Sequence, residues 1–463
     1  MSRAGIVGGG VIGGGWAARF LLMGWDVAFH DPDPGAWDAL HETLAQARRA
    51  LPMLYDTALP AEGRLTRAAS VAEAVAGADW VQESVPERLP LKHAVLAEIA
   101  AAAPEGTVVG SSTSGFTPTA LREGLPEGAP VIVAHPFNPV YLLPLVEVVG
   151  AEGHVADRAR AILTGIGMRP LLLRREIDGH IADRLLESVW REALWLIQDD
   201  IATTEEIDEA IRLGFGLRWA QMGLFETYRT AGGDAGMAHF IAQFAPALHW
   251  PWSRLTDVPD LDGPLAEKIA AQSDAQSGHL SIRALQARRD EALVAILRAL
   301  RARDAGAGSV IAAHEATVAD LPEDGVPLIT VRRTVPIDWT DMNGHMNEGR
   351  YGQIFSDAAE RVMALVGADA DYVARGLSYF TVETTVKYLA ETHAGEAVEV
   401  ASRVTQGAGK KLRVVHEMRR QGETEPLATC DQLMIHVSLT TRRACDPPED
   451  VEARVRALAD AHR

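Results

Sequence analysis

The 463-residue chain holds only two cysteines, Cys430 and Cys445, too few for a disulfide framework and too far apart for metal-ligand spacing, so no metal centre is expected. Positive charge is also scarce. The 44 lysines and arginines face 63 aspartates and glutamates, a net charge of −19, which argues against broad binding to a phosphate backbone and makes nucleic acid an unexpected partner. Any anionic ligand must be met by local basic groups or helix ends. No apolar run approaches the roughly 18 uninterrupted residues of a membrane helix, and no basic segment leads into a cleavable apolar run near Met1. These absences predict a cytoplasmic chain with no membrane partner. What the sequence does have is apolar material: 47% hydrophobic against 23% charged residues, which at this length predicts two or three globular domains.

The most informative stretch is IVGGGVIGGGWAARFLLMGWDVAFHD, Ile6 to Asp31. A short apolar strand runs into a turn of Gly8, Gly9, Gly10, Val11, Ile12 and Gly13, a helical run follows, and a second strand ends on Asp31. In the Gly-x-Gly-x-x-Gly spacing, Gly8 permits the tight turn, Gly10 lets backbone N–H groups approach a pyrophosphate, and Gly13 lets helix and strand pack closely. Asp31, eighteen residues after Gly13 (31 − 13), is placed to bind both hydroxyls of an adenosine ribose. The next residues are Pro32, Asp33 and Pro34, so a 2′-phosphate would meet negative charge and NAD is expected over NADP.

Strand and helix patterns alternate to about Asp178, which predicts a parallel, doubly wound α/β domain of the Rossmann type over residues 1–178. In it, 71–76 and 80–83 are short apolar stretches, and Val131 to Ala134 and Leu171 to Leu173 read as buried strands. Residues 179–303 turn to helical periodicity, with Ile181, Leu185, Val189 and Leu196 on one face, and predict a second, all-α domain, which is expected to serve substrate binding or dimerisation of a homodimer. Residues 304–327 have linker composition. From 328 to 463 one helix, Tyr351 to Leu365, is followed by a run of strands, the pattern of a separate α+β domain.

Ser114 lies in SSTSGFTP after a strand, His135 follows it by twenty-one residues (135 − 114), and Glu147 comes twelve further on. These are the parts of an alcohol oxidation by NAD: a base near working pH for the hydroxyl proton, and a carboxylate on its other ring nitrogen to fix the tautomer. Residues 1 to about 303 resemble the 3-hydroxyacyl-CoA dehydrogenase family, with Ser114, His135 and Glu147 in the runs SSTS, HPFNP and LVEV. The resemblance implies NAD contacts at Gly8 to Gly13, Asp31, Glu87, Lys92 and Asn138. One position departs: where the family's GFIxNR run places Asn against a thioester carbonyl, this chain has GHIADR, with Asp183. An ionised Asp cannot donate to a carbonyl, but a carboxylate among aromatic rings suits a quaternary ammonium. Rings are dense downstream: Trp190, Trp195, Trp219, Phe225, Tyr228, Trp250 and Trp252. The runs IADRLLESVWREAL, GLRWAQMG and TAGGDAGM resemble the L-carnitine dehydrogenase branch of this superfamily, which implies L-carnitine as substrate, with Asp183, Trp190, Trp219, Phe225 and Tyr228 around its ammonium group.

The last domain opens with DWTDMNGHMNEGRYGQIF, Asp338 to Phe355. Its Asp-x-Asn-x-His run and element order resemble hotdog-fold thioesterases of the 4-hydroxybenzoyl-CoA type. That resemblance implies Asp341 as nucleophile or general base, Asn343 and His345 as positioning groups, and helix N-terminal amides polarising the carbonyl. Cleavage of 3-dehydrocarnitine, a β-keto acid, with an acetyl-CoA partner leaves a betainyl thioester, so a short cationic acyl-CoA is the expected second substrate. Two alternatives stay open: a 3-hydroxyacyl-CoA dehydrogenase with an appended acyl-CoA thioesterase, and a dehydrogenase whose hotdog domain only binds or dimerises.

Overall fold

The computed structural model describes residues 2–231, 240–242, 253, 264–318, 321 and 324–462. The chain divides into two compact units, one of residues 1–48 and 61–314, the other of 49–60 with 315–463.

The first unit is built on β1 (Arg3–Val7), β2 (Asp26–His30), β3 (Leu65–Arg67), β4 (Trp80–Glu83), β5 (Val108–Ser111), β6 (Val131–Pro136), β7 (Leu145–Val149) and β8 (Arg169–Leu172), in the spatial order β3-β2-β1-β4-β5-β6-β7-β8. Burial explains the unbroken apolar runs of these strands: Ile6, Val81, Val109 and Val133 are all essentially inaccessible. The order reverses between β1 and β4, and a crevice opens at such a point beyond the carboxyl ends of the strands.

One pair departs from the all-parallel expectation. Only residues 137–144 separate β6 from β7, too few for the dozen or more of a crossover, so the chain returns antiparallel and its register sets His135 opposite Glu147. The stretch 71–76 also differs from its strand neighbours, forming a helix, Val71–Val75. Ser70 accepts from the Glu73 N–H (3.2 Å) and the Glu73 carboxylate accepts from the Ala69 N–H (2.8 Å), a reciprocal cap that commits the segment to helix.

Between 181 and 303 the described residues form helices and no strand, including Ala182–Gln198, Gly216–Ala231 and Ile282–Arg301. These helices belong to the same compact unit as the sheet: the Tyr141 hydroxyl, just past β6, donates to the buried Asp290 of Ile282–Arg301 at 2.6 Å. The stretch 304–327 is not all linker, since it carries the helix Ala307–Val318, whose His314 Nε2 meets the Gly165 carbonyl at 3.1 Å.

The second unit wraps an antiparallel sheet around the helix Glu348–Leu365. Its strands β9 (Leu328–Thr334), β10 (Leu377–Tyr388), β11 (Ala397–Ala408), β12 (Lys411–Arg420) and β13 (Pro426–Ser438) lie in the order β10-β13-β12-β11-β9, with the short β14 (Arg443–Ala444) on β13. Tyr351, Ile354, Phe355 and Ala358 recur at helical spacing and bury against Val331, Val398, Val400 and Met418 from the strands. Residues 49–60 join this unit: the Ala58 N–H donates to the Arg332 carbonyl (3.0 Å) and the Thr57 N–H to Glu315 (2.8 Å).

Candidate functional site

The glycine turn sits between β1 and the helix Val11–Leu22. Gly8 has φ +102°, and a Cβ there would meet the Ser84 backbone at 2.5 Å; a Cβ on Gly13 would meet the Gly8 carbonyl oxygen at 1.9 Å. Neither position admits a side chain. Asp31 directly follows β2, with one carboxylate oxygen accepting from the Gly9 N–H (2.5 Å) and the other from the Asp33 N–H (2.7 Å), which fixes its orientation at the rim of the crevice.

Beyond the strand ends lies a cavity of about 290 Å³ lined by Ile12, Ser84, Val85, Glu87, Lys92, Ser112, Ser114, His135 and Pro136. It gathers Ile12, Glu87, Lys92, Ser114 and His135 of the expected residues; Asn138 lies outside this lining, exposed three residues beyond His135. Lys92 is almost fully buried and its ammonium is enclosed by Glu83 (3.0 Å), Glu87 (3.2 Å) and the Val85 carbonyl (3.1 Å). Its charge therefore orders the two carboxylates. Glu87 is further held by the Thr113 hydroxyl and the Gly115 N–H (3.2 Å).

His135 Nδ1 lies 3.1 Å from Glu147 Oε2. The other Glu147 oxygen accepts from the Ile181 and Ala182 N–H groups (2.9 and 3.0 Å), the opening amides of the helix Ala182–Gln198. Burial raises the Glu147 pKa, but the hydrogen bonds from His135 and the two amides outweigh it and hold the carboxyl below its ordinary value. A carboxylate thus held on Nδ1 leaves Nε2 toward the cavity as the proton acceptor. On that side stands Asp183 Oδ2, 3.7 Å from His135 Nε2. Burial, with Glu147 and Glu187 nearby, pushes the Asp183 carboxyl above its ordinary value.

A second cavity of about 640 Å³ shares Ser114 with the first and is lined by Asp178, Asp183, Glu187, Arg184, Ser188 and Arg191 among others. The expected rings are elsewhere. Trp190 follows Asp183 by seven residues, which puts it two turns along the same helix, and it is 56% exposed. Trp219 packs on Phe215 with centroids 4.5 Å apart, Tyr228 stacks on Phe240 at 4.6 Å, and Phe225 is exposed. Among the described residues the lining around Asp183 is carboxylate and guanidinium rather than aromatic. Trp250, Trp252 and most of the run 230–237 lie outside the described residues.

In the second unit Asp341 closes a tight turn. Its Oδ1 accepts from the Asn343 N–H (2.8 Å) and the His345 N–H (3.4 Å), and Asn343 Nδ2 lies 3.5 Å from Oδ2. The Asn343 amide, with the other donors of the turn, lowers the Asp341 pKa and keeps it an anion. Asp341, Asn343 and His345 are thus gathered on one half-exposed turn. The helix it precedes is capped by Asn347, whose side chain accepts from the Gly349 N–H at 3.0 Å. Tyr351 and Phe355 are buried packing residues.

Residues 3–177 match the 3-hydroxyacyl-CoA dehydrogenase NAD binding domain, 179–258 the C-terminal domain of the same family, and 335–455 the thioesterase-like superfamily. The sequence is 53% identical to the L-carnitine dehydrogenase/betainyl-CoA thioesterase of Ruegeria pomeroyi, a match spanning 100% of this chain and 96% of that one. The chain belongs to that family. An L-carnitine dehydrogenase from Mesorhizobium japonicum is 54% identical over 66% of this chain and 86% of its own. The crystal structure of an NAD+-dependent 5-formyl-3-hydroxy-2-methylpyridine 4-carboxylic acid 5-dehydrogenase superposes with a TM-score of 0.53 at 26% identity, covering 65% of this chain and 99% of that one. The α/β Rossmann, all-α and hotdog elements of this family, and its NAD-binding domain, are thus those described above.

Two residues of this family member's first site escape a reading of the sequence. Glu83, fully buried at the end of β4, accepts from Lys92, from the Ser111 hydroxyl (2.5 Å) and from the Val85 N–H (2.7 Å). His180, also fully buried, has φ +48° and places its ring 5.7 Å from that of His135, with Nε2 3.3 Å from the Thr113 carbonyl. The only local signal for His180 is its place in GHIADR, where the resemblance carries Phe.

Proposed function

We propose that the first unit oxidises L-carnitine to 3-dehydrocarnitine with NAD, and that the second hydrolyses betainyl-CoA to glycine betaine and CoA. The observation that carries the first half is Asp183 beside the reacting nitrogen of His135. A cationic 3-hydroxy acid would draw Asp183 to its ionised form against the burial that raises its pKa, and an ionised carboxylate offers no donor to the carbonyl of an acyl thioester.

The glycine turn fits the cofactor, because its two closed positions leave backbone N–H groups free to approach a pyrophosphate and Asp31 is already oriented for the ribose diol. Glu87 and Asn138 would hold the nicotinamide end, with Lys92 orienting Glu87. Bound NAD supplies the hydride acceptor. His135 Nε2 takes the hydroxyl proton, and Glu147 stabilises the imidazolium from the other nitrogen. Ser114, shared by both cavities, hydrogen-bonds the substrate oxygen between them. The 3.7 Å from His135 Nε2 to Asp183 Oδ2 exceeds a direct hydrogen bond and leaves Nε2 open to the single hydroxyl proton. Asp183 and Glu187 face the trimethylammonium group, and Arg184 and Arg191 of the same lining face the carboxylate. Trp190, Trp219, Phe225 and Tyr228 serve the ammonium only if they close on it when substrate binds.

In the second unit the anionic Asp341 attacks the thioester or activates water, with Asn343 and His345 holding the acyl group. The chain works as a homodimer; support comes from exposed apolar side chains on the helices of the first unit, Leu185, Leu186, Leu213 and Leu217. No described helix is long and apolar enough to cross a membrane, and unbridged Cys430 and Cys445 suit the reducing cytoplasm.

A substrate panel tests the reading. L-carnitine is oxidised, while its neutral tert-butyl isostere and 3-hydroxyacyl-CoA are not, and Asp183→Asn raises the KM for carnitine about tenfold or more. Isostere or acyl-CoA turnover equal to that of carnitine overturns the cation argument. For the second unit, betainyl-CoA is cleaved faster than acetyl-CoA or long-chain acyl-CoA; the reverse order overturns that half.

A further inference from the structure

The turn that carries Asp341 does more than present that carboxylate. Its second arm is bonded to the loop after β10: His345 pairs with His393 in an isolated antiparallel bridge, and the Met346 N–H donates to the Thr392 carbonyl at 2.8 Å. This backbone pairing brings together residues 48 apart in sequence (393 − 345), with their rings edge to face at a centroid distance of 4.8 Å. Glu391 completes the group, its Oε2 3.4 Å from His345 Nε2. One donor atom from each of His345, Glu391 and His393 lies within 4.8 Å of the other two.

Two imidazoles and one carboxylate are the donor set of zinc sites that keep an open position, and they suit first-row dications better than magnesium or calcium, which prefer all-oxygen shells. A tetrahedral zinc with ligands at about 2.0–2.2 Å sets those ligands about 3.4 Å apart. The His345–Glu391 separation already has that value, and His393, within 4.8 Å of both, needs to close by at most about 1.4 Å, which a half-exposed side chain does by a rotamer adjustment. The outer shell is also in place. Glu396 Oε1 lies 3.5 Å from His393 Nδ1, where a carboxylate orients a metal-binding ring, and Glu396 is itself fixed by the Thr392 hydroxyl (2.6 Å) and Arg420 Nε (2.9 Å).

We propose that His345, Glu391 and His393 bind a single zinc-class divalent cation, and that its binding takes the His345 ring away from the acyl group and so inhibits thioester hydrolysis. The inhibitory half rests on the thioesterase reading above; the binding half does not. The site couples the second activity to free zinc or its congeners and leaves the oxidation untouched.

The test uses the full chain stripped with a chelator. Calorimetric titration with Zn2+ gives a site that His393→Ala and Glu391→Gln each weaken about tenfold or more, while Mg2+ gives no comparable heat. Both side chains are half-exposed or more and the bridge is made by backbone, so the variants fold; unchanged far-UV dichroism checks this, and His393→Gln is the milder second variant. Hydrolysis is followed by loss of the thioester absorbance, because zinc binds released thiols. Saturating Zn2+ lowers it about tenfold in the parent and leaves His393→Ala unaffected, with carnitine oxidation constant in both. Zinc binding that none of the variants weakens overturns the site. Binding at the site with hydrolysis unchanged overturns the inhibition. A parent chain without hydrolysis sinks the thioesterase reading, and the titration still decides the site.

Discussion

His135 stands between two carboxylates of opposite tendency. Glu147 on Nδ1 is held ionised by donors that outweigh its burial, whereas burial pushes Asp183, on the Nε2 side, toward its neutral form. Replacing His135 by Ala removes the proton acceptor, so turnover falls about 10²-fold or more while NADH still binds, as fluorescence titration reads out. Glu147 also sets a pH dependence of stability. Because its folded pKa is depressed below the ordinary 4.5, its stabilisation is full above that value and is lost as pH falls through the folded one. Thermal midpoints of the parent should therefore drop more steeply than those of Glu147→Gln as the buffer is taken from about pH 6 to 3; parallel curves would remove Glu147 from the acid limb. At the adenosine end, Asp31→Ala removes the only acid fixed by the Gly9 and Asp33 amides, and the ratio of NAD to NADP turnover should fall about tenfold or more.

At the level of elements, two short connections do most of the positioning. The first is the glycine turn: Gly13→Ala drives a methyl group into the Gly8 carbonyl, a clash with backbone that no side chain can relieve. Overpacking of this kind costs roughly 1–3 kcal/mol, so the melting temperature should drop by several degrees and NAD binding should weaken with it, as paired melts with and without NAD reveal. The second is the run of residues 137–144, whose brevity forces β7 to return beside β6 and puts Glu147 across from His135. The run HPFNP and the acid of LVEV were legible as a pair by resemblance; that they face each other across an antiparallel ladder was not, because the direction follows from the strand bounds that leave only residues 137–144 between them, and the register is set by how the two strands pair.

For the whole molecule, the two compact units each hold a complete set of candidate groups: Ser114, His135, Glu147 and Asp183 in one, Asp341, Asn343 and His345 in the other. Independence of the two activities follows from that separation. Asp341→Asn should abolish thioester hydrolysis and leave carnitine oxidation within about twofold of the parent, since substitutions without shared partners act independently. Equal loss of both activities would mean that the units communicate.

The sequence alone marked out the alternating strands and helices of the first domain, its NAD-binding turn and the later change to an α+β domain. Glycine spacing, an acid closing β2 and an Asp-x-Asn-x-His turn each encode their geometry within a few dozen residues, so neighbouring atoms suffice to read them. Three features were decided only by tertiary structure. Lys92 is sealed between Glu83 and Glu87, Asp183 comes to rest 3.7 Å from His135 Nε2, and His345 meets Glu391 and His393. The last two join segments far apart in sequence, and the first depends on how the end of β4 docks against the helix that follows it; which side chains meet is a choice made by burial over the whole core rather than by any local pattern.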